Sequence, residues 1–149
     1  MVTQMNTKNL YQQDRCLWAK TMADLLKERR LDQLDCQNLI KEIEDMGRSQ
    51  KKSLKRNLEI LLMHLLKWKY QPHKQSNSWR LSIDEHRERI LKQLKESPSL
   101  KRHFDLVLDE AYGRARKEAS IETSIDISRF PALNPFLKEE ILDQEFLPK

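Results

Sequence analysis

The sequence predicts an all-α fold, and three observations support this prediction. The 149 residues include only two glycines and five prolines, so the chain has few signals for tight turns. Residue types that favour helices, such as Leu, Lys, Glu, Gln and Arg, are abundant. Apolar residues recur at spacings of three and four, which is the pattern of one buried helical face. We therefore predict a single domain, residues 1–149, folded as a bundle of four main helices and a short fifth.

The first predicted helix, helix A, covers about residues 10–29. Leu17, Trp18 and Met22 begin an apolar face that continues at three- and four-residue intervals. A short connection follows and ends at Asp35, a residue type that commonly caps the beginning of a helix.

Helix B is predicted to run without a break from about residue 36 to residue 70. Gly47 lies inside it, at a cost of about 1 kcal/mol relative to alanine, and its missing side chain would let another helix approach closely. The alternative is two helices broken at Gly47, and Pro72 ends the helix in either case. The stripe that supports one helix consists of Leu39, Ile43, Met46, Gln50, Leu54, Leu58, Leu61 and Leu65.

Three further helices complete the predicted bundle. Helix C covers about 79–95, and helix D covers about 98–123, where Ser97 followed by Pro98 is a strong start signal. Asn134 is predicted to cap a short last helix at about 135–143.

Composition also narrows the setting in which the protein works. No cationic segment followed by an apolar run opens the chain, and no eighteen apolar residues stand together, so we expect a cytoplasmic protein without membrane contact. Cys16 and Cys36 are too few for a disulfide framework, and we expect both to be reduced, packed thiols. The sequence shows no phosphate-binding loop or nucleophile motif, and we predict no cofactor.

Several segments together resemble one family. They are IEDMGRSQKKSLKRNLEILLMHLLKWKYQP at 43–72, SNSWRLSIDEHRERI at 76–90, SPSL at 97–100 and a terminal EFLP. This combination is similar to the bacterial proteins grouped as domain of unknown function 29 (DUF29), over nearly the whole chain. The resemblance implies a small helical protein and supplies no activity, cofactor or catalytic residue.

A metal-dependent enzyme is one functional hypothesis, centred on His64. Metal sites on helices normally pair ligands on one face or on facing helices, and His64 has no partner one turn away. His86 and His103 could converge on it from helices C and D, with Glu42, Glu44 or Asp45 as carboxylate ligands. The competing interpretations are a histidine hydrogen-bonded to a neighbouring helix and a solvated, salt-bridged acidic run at 42–45.

A basic region in the middle of the chain gives a second hypothesis. The net charges of residues 1–50, 51–100 and 101–149 are 0, +7 and −2. Segment 48–102, which contains Trp68, Tyr70 and Trp79, could neutralise phosphates and stack on bases of a nucleic acid. The same cations could instead meet the acidic C-terminal part of the fold, and the tryptophans could be core anchors.

The leading hypothesis is a non-enzymatic interaction module. In it, the corner between helices B and C binds an acidic protein partner or a second copy of the chain. The candidate contact residues are Lys67, Trp68, Lys69, Tyr70, His73, Lys74, Trp79, Arg80, His86 and Arg87.

Overall fold

The computed structural model describes residues 4–149, except the side chains of residues 4–6 and 8. Within this range the chain forms six α-helices and contains no strand, which confirms the all-α prediction. The helices are α1 (Gln4–Gln13), α2 (Arg15–Lys27), α3 (Cys36–Tyr70), α4 (Asn77–Glu96), α5 (Leu100–Thr123) and α6 (Lys138–Leu142), with short 3₁₀ turns at Leu31–Gln33, Pro72–Lys74 and Ile127–Arg129.

The chain divides into two compact units, and the boundary falls inside α3. The first unit ends at Arg48 and the second begins at Ser49. The prediction of a single domain therefore stays a prediction. Among the described residues, no helix is both long and apolar enough to span a lipid bilayer.

The first unit differs from the prediction at its beginning. The predicted helix A is two helices, α1 and α2, because Asp14 adopts an extended backbone and its carboxylate accepts a hydrogen bond from the Leu17 amide at 3.0 Å. In the same unit, the buried carboxylate of Asp35 accepts a hydrogen bond from the Trp18 indole at 3.2 Å. The core of this unit consists of Tyr11, Trp18, Met22, Leu25 and Leu34.

Helix α3 runs unbroken from Cys36 to Tyr70, as predicted. Its apolar stripe is covered only in part, because Ile43 and Met46 are 65% and 68% exposed. The expected close approach of another helix at Gly47 does not occur in the described structure, since, apart from its chain neighbours and the adjoining backbone of α3, no atom lies within 4 Å of the position that a Cβ would occupy there.

The second unit has a continuous core beneath the later turns of α3. The side chains from Leu54 to Leu66 that face inward pack with residues of α4, α5 and α6, including Ile90, Phe104 and Ile141. Burial of this apolar surface is the main stabilising contribution to the unit, at about 25 cal/mol per Å².

Three further local details differ from the predictions. Helix α5 begins at Leu100 after a turn in which the Ser97 carbonyl accepts from the Leu100 amide at 2.9 Å. Helix α6 begins at Lys138, because Asn134 caps a preceding turn by accepting from the Phe136 amide at 2.9 Å. The two cysteines, Cys16 and Cys36, are free and exposed, so the expectation that they pack in the interior is wrong.

Candidate functional site

The predicted corner consists of the last turns of α3, the connection 71–76 and the first turns of α4. Local hydrogen bonds fix the connection. The Ser76 hydroxyl accepts from the Trp79 amide at 3.2 Å and so caps α4, and the Gln75 side-chain amide donates to the Trp68 carbonyl at 3.0 Å. The corner is therefore a structured surface.

Lys67 is not a surface cation, contrary to the prediction. Its side chain is buried, with Nζ 2.9 Å from Oε1 of Glu122 on α5 and 4.7 Å from the centroid of the Trp79 ring. A buried ammonium needs an opposite charge, and the ring face adds a favourable cation–π contact. Lys67 therefore joins α3, α4 and α5 instead of meeting a partner.

The aromatic residues of the corner take part mainly in the fold. Trp68 and Tyr70 are partly buried and pack against the core of the second unit. The Tyr70 ring meets Phe130 edge to face at a centroid distance of 5.4 Å. Trp79 is half-buried and offers one face to Lys67. These contacts favour the alternative that the tryptophans anchor the end of the bundle.

Arg87 is buried as well, and its place on the predicted contact surface is wrong. Only 1% of the residue is exposed, and its Nε donates to the Ile141 carbonyl at 2.8 Å. This carbonyl lies at the C-terminal end of α6, where a helix leaves acceptors free and favours a positive charge. Burial lowers the pKa of the Arg87 guanidinium from its usual value.

His64 and His86 do come together, as the sequence suggested they could. The Ser82 hydroxyl lies between them, with Oγ 3.4 Å from Nδ1 of His64 and 3.3 Å from Nδ1 of His86. Each Nδ1 also lies close to the carbonyl one turn earlier, at 2.9 Å from Ile60 O and 2.7 Å from Ser82 O.

These distances define the hydrogen-bonding state of both rings. A carbonyl can only accept, so each Nδ1 beside one donates to it, and in a neutral ring the lone pair is then on Nε2. Burial lowers the pKa of His64, and nearby Lys67 and His86 lower it further, against the opposing effects of the Ile60 carbonyl and Glu122. Since neither Nδ1 is free to take its proton, Ser82 has no base at these atoms and is not an activated nucleophile.

The proposed metal set of His64 with Glu42 or Asp45 is wrong. Glu42 accepts from the Tyr11 hydroxyl and pairs with Arg15 at 2.9 Å, while Asp45 pairs with Arg48. On helix α3 these carboxylates precede His64 by about six and five turns, too far to share an ion.

His103 does not join the histidine pair in the described structure. It lines a different hollow with Lys51 and Arg102. In residues 4–149, no three His, Cys, Asp or Glu side chains are grouped so that they could hold a metal ion.

The basic segment is neutralised in part by the protein itself. The closest such pair is Lys55 with Glu110 at 2.6 Å, and Arg56 meets Glu118 at 2.9 Å. Together with the pair of Lys67 and Glu122, three cations of α3 therefore meet carboxylates of α5. This arrangement corresponds to the alternative in which the basic segment meets the acidic C-terminal part of the same chain.

Two groups of cations keep no ion pair within the described structure. We call the first the corner patch: half-exposed Lys69 with exposed His73 and Lys74 on the connection. We call the second the α4–α5 patch: exposed Lys51, Lys95, Lys101 and Arg102 near the turn between these helices.

Sequence reasoning missed both Ser82 and Glu122. Ser82 and His86 are four residues apart, and this spacing alone could have indicated that they lie on the same face of a helix. Lys67 and Glu122 are 55 residues apart, so no local pattern could have indicated that they form a pair.

Fold and site together define a small all-helical protein whose buried polar clusters mainly join its helices. The chain belongs to the DUF29 family, since the model of this domain of unknown function matches residues 10–147. No curated protein and no solved structure matches the chain significantly.

Proposed function

We propose that the protein is a non-enzymatic interaction module that binds an acidic protein partner through the corner patch. The observation that carries this proposal is an uncompensated charge. No Asp or Glu occurs between Glu59 and Asp84, and Lys69 and Lys74 have no ion pair among the described residues. Arg80 borders the patch and remains half-exposed, although its Nε lies 3.3 Å from Asp84.

The corner suits recognition of a protein because its shape is fixed before binding. The connection is tied to α3 by Gln75 and to α4 by the Ser76 cap, so binding orders few groups. Exposed cations at such a surface mainly speed up association with an acidic partner and determine its choice. A symmetric contact with a second copy would bring two positive patches together, so an acidic protein is favoured over self-association.

Charge reversal tests this proposal. The variant Lys69→Glu/Lys74→Glu and the matched control Lys20→Glu/Lys27→Glu, which changes two exposed lysines on α2, would be compared in affinity capture from the native extract. We expect the first variant to lose proteins that the wild type and the control retain. Identical sets of captured proteins for all three would contradict the proposal.

A second candidate function is nucleic-acid binding through the α4–α5 patch. It is favoured by one observation: Lys51 and Arg102 line a common hollow of about 290 Å³ with His103, and neither cation has an ion pair in the described structure. Unpaired lysines and arginines that follow a groove are typical of phosphate-backbone contacts.

Salt dependence separates this function from the first. Binding of a short single strand should weaken steeply as salt rises, with a slope of about −0.7 per neutralised phosphate on logarithmic axes. Lys101→Glu/Arg102→Glu should abolish binding, while Lys69→Glu/Lys74→Glu should leave it intact. Failure to bind any single strand at low salt would exclude this function.

A further inference from the structure

A groove of about 410 Å³ lies between α3 and α4 in the second unit, and all the side chains that line it are polar or charged. This volume falls within the usual range of about 300–1,000 Å³ for ligand pockets. Its neutral side chains are Gln50, Ser53 and Asn57 on α3, and Gln93 on α4. We call this feature the α3–α4 groove. It offers hydrogen bonds instead of apolar contact.

Asn57 is the most deeply buried side chain of the α3–α4 groove. The residue is only 7% exposed, and its side-chain nitrogen donates to Oε1 of Gln93 at 3.2 Å. The Asn57 oxygen and the Gln93 nitrogen have no hydrogen-bond partner in the described structure. Both atoms are accessible, because the only fully buried side-chain nitrogen or oxygen without a partner in that structure belongs to Arg87. The groove therefore contains one free acceptor and one free donor, and exchanging the nitrogen and oxygen of both amides would leave the same balance.

The charged side chains of the α3–α4 groove are paired along α4. Arg89 meets Glu85, and Nζ of Lys92 lies 4.0 Å from Oε1 of Glu96. These pairs leave no unpaired charge in the groove to attract an anion or a cation. No aromatic side chain lines it, so a nucleic-acid base would lack the stacking surface that is typical of single-strand binding. The free groups therefore suit a neutral ligand that both donates and accepts hydrogen bonds.

We propose that the α3–α4 groove binds an extended, uncharged peptide segment of a partner protein through the backbone of that segment. Each peptide group carries one N–H donor and one C=O acceptor, which match the free oxygen of Asn57 and the free nitrogen of Gln93. Main-chain hydrogen bonds of this kind supply affinity in several modes of peptide recognition.

The neighbouring side chains on α3 extend this match along the groove. Gln50 and Ser53 are exposed and have no hydrogen-bond partner in the described structure. Gln50 and Asn57 lie two turns apart, about 10 Å along the helix, and three residues of an extended chain cover the same length. A row of groups over this distance suits a chain better than a single small amide. The inference goes beyond the proposed function, because neither Lys69 nor Lys74 lines the groove.

Selection from a library of random heptapeptides on the immobilised full chain is the first test. We expect enriched peptides whose synthetic copies, with acetylated and amidated ends, bind the wild type in fluorescence anisotropy. Methylation of one backbone nitrogen in such a copy removes one donor and should weaken binding about tenfold at one position or more. If no peptide is enriched, or if every N-methylated copy binds as well as its parent, the proposal is wrong.

Three variants make the test specific for the α3–α4 groove. Gln93→Glu keeps an oxygen that accepts from Asn57 but replaces the free donor with an acceptor, so the peptides should bind at least about tenfold more weakly. Gln50→Ala changes an exposed side chain of the groove and should cause a smaller loss, of about fivefold. Gln144→Glu makes the first change at an exposed glutamine outside the groove and should leave the affinity unchanged.

Two results would overturn the proposed site. One is equal affinity of the peptides for the wild type, Gln93→Glu and Gln50→Ala, which would place their binding elsewhere. The other is a short single-stranded nucleic acid that displaces the peptides and binds more tightly than any of them, which would assign the groove to nucleic acid. Lys69→Glu/Lys74→Glu should lose the acidic partner and retain the heptapeptides, so this proposal and the proposed function fail separately.

Discussion

The two halves of helix α3 carry one apolar stripe and bury it to very different extents. Before Gly47, Ile43 and Met46 are mostly exposed, whereas after it Leu58 and Leu61 are completely buried. The later half packs with side chains of α4 and α5 in one core, while the core of the first unit contains none of the residues from Ile40 to Met46. Periodicity therefore determines which face of a helix is apolar, whereas the neighbouring elements determine whether this face is covered.

The largest expected effect comes from truncating the buried half. Leu61→Ala removes a fully buried side chain from the core of the second unit and should lower the free energy of unfolding by about 2–5 kcal/mol. Urea denaturation monitored by circular dichroism would measure it, with the change taken from the transition midpoint at constant slope.

Ile43→Ala is the matched control on the same helix. Because Ile43 is 65% exposed, this change should alter the free energy of unfolding by no more than about 0.5 kcal/mol. Similar losses for Leu61→Ala and Ile43→Ala would mean that both halves are covered in solution, and the contrast between them would disappear.

The next expected effect is a dependence of the free energy of unfolding on pH. It arises from His64, which lies in the buried half of α3. The folded-state pKa of His64 is lowered, mainly by burial, so between that value and the unfolded pKa near 6.5 the unfolded chain binds more protons. The contribution of neutral His64 is therefore fully present above pH of about 6.5 and is lost as the pH falls toward the folded pKa.

Replacing the ring tests this pH dependence. In His64→Gln, the urea midpoint should fall less steeply than in the wild type as the pH decreases below about 6.5. His73→Gln changes an exposed histidine on the connection and serves as the control for the substitution itself. A slope unaffected by His64→Gln would show that this histidine is not protonated on unfolding in that range.

A smaller effect, of opposite sign, is expected at the point where the two halves meet. Gly47→Ala should raise the free energy of unfolding by about 1 kcal/mol, because alanine has the higher helix propensity and, in the described structure, only its chain neighbours and the adjoining α3 backbone lie within 4 Å of the new Cβ. Gly113→Ala on α5 has equally open space and should give a similar gain. A loss at Gly47 alone would indicate that something packs closely against α3 there in solution.

The same contrast explains how much could be predicted from sequence. Unbroken periodicity through Gly47 predicted one helix from 36 to 70, because the helical period is a property of the local sequence. The break at Asp14 was missed, since Tyr11 before it and Trp18 after it lie seven residues apart and so continue the apolar spacing across it. The positions of Lys67 and Arg87 could not be predicted, because their partners, Glu122 on α5 and the Ile141 carbonyl of α6, lie 55 and 54 residues away. Long-range packing decides whether a cation is buried, and one helical segment does not contain that information.

The smallest expected effect tests the exposed half most directly. Met46→Lys places a charge on a side chain that is 68% exposed, so the free energy of unfolding should stay within about 0.5 kcal/mol of the wild type. Lysine has good helix propensity, so backbone preference does not complicate the result. A loss well above 1 kcal/mol would mean that this face is covered in solution.

Sedimentation velocity at several protein concentrations would then decide what covers it. If the sedimentation coefficient rises with protein concentration for the wild type but not for Met46→Lys, a second copy of the chain covers this face. A constant coefficient for both would place the cover within the chain itself, and the two halves of α3 would then be buried by the same kind of packing.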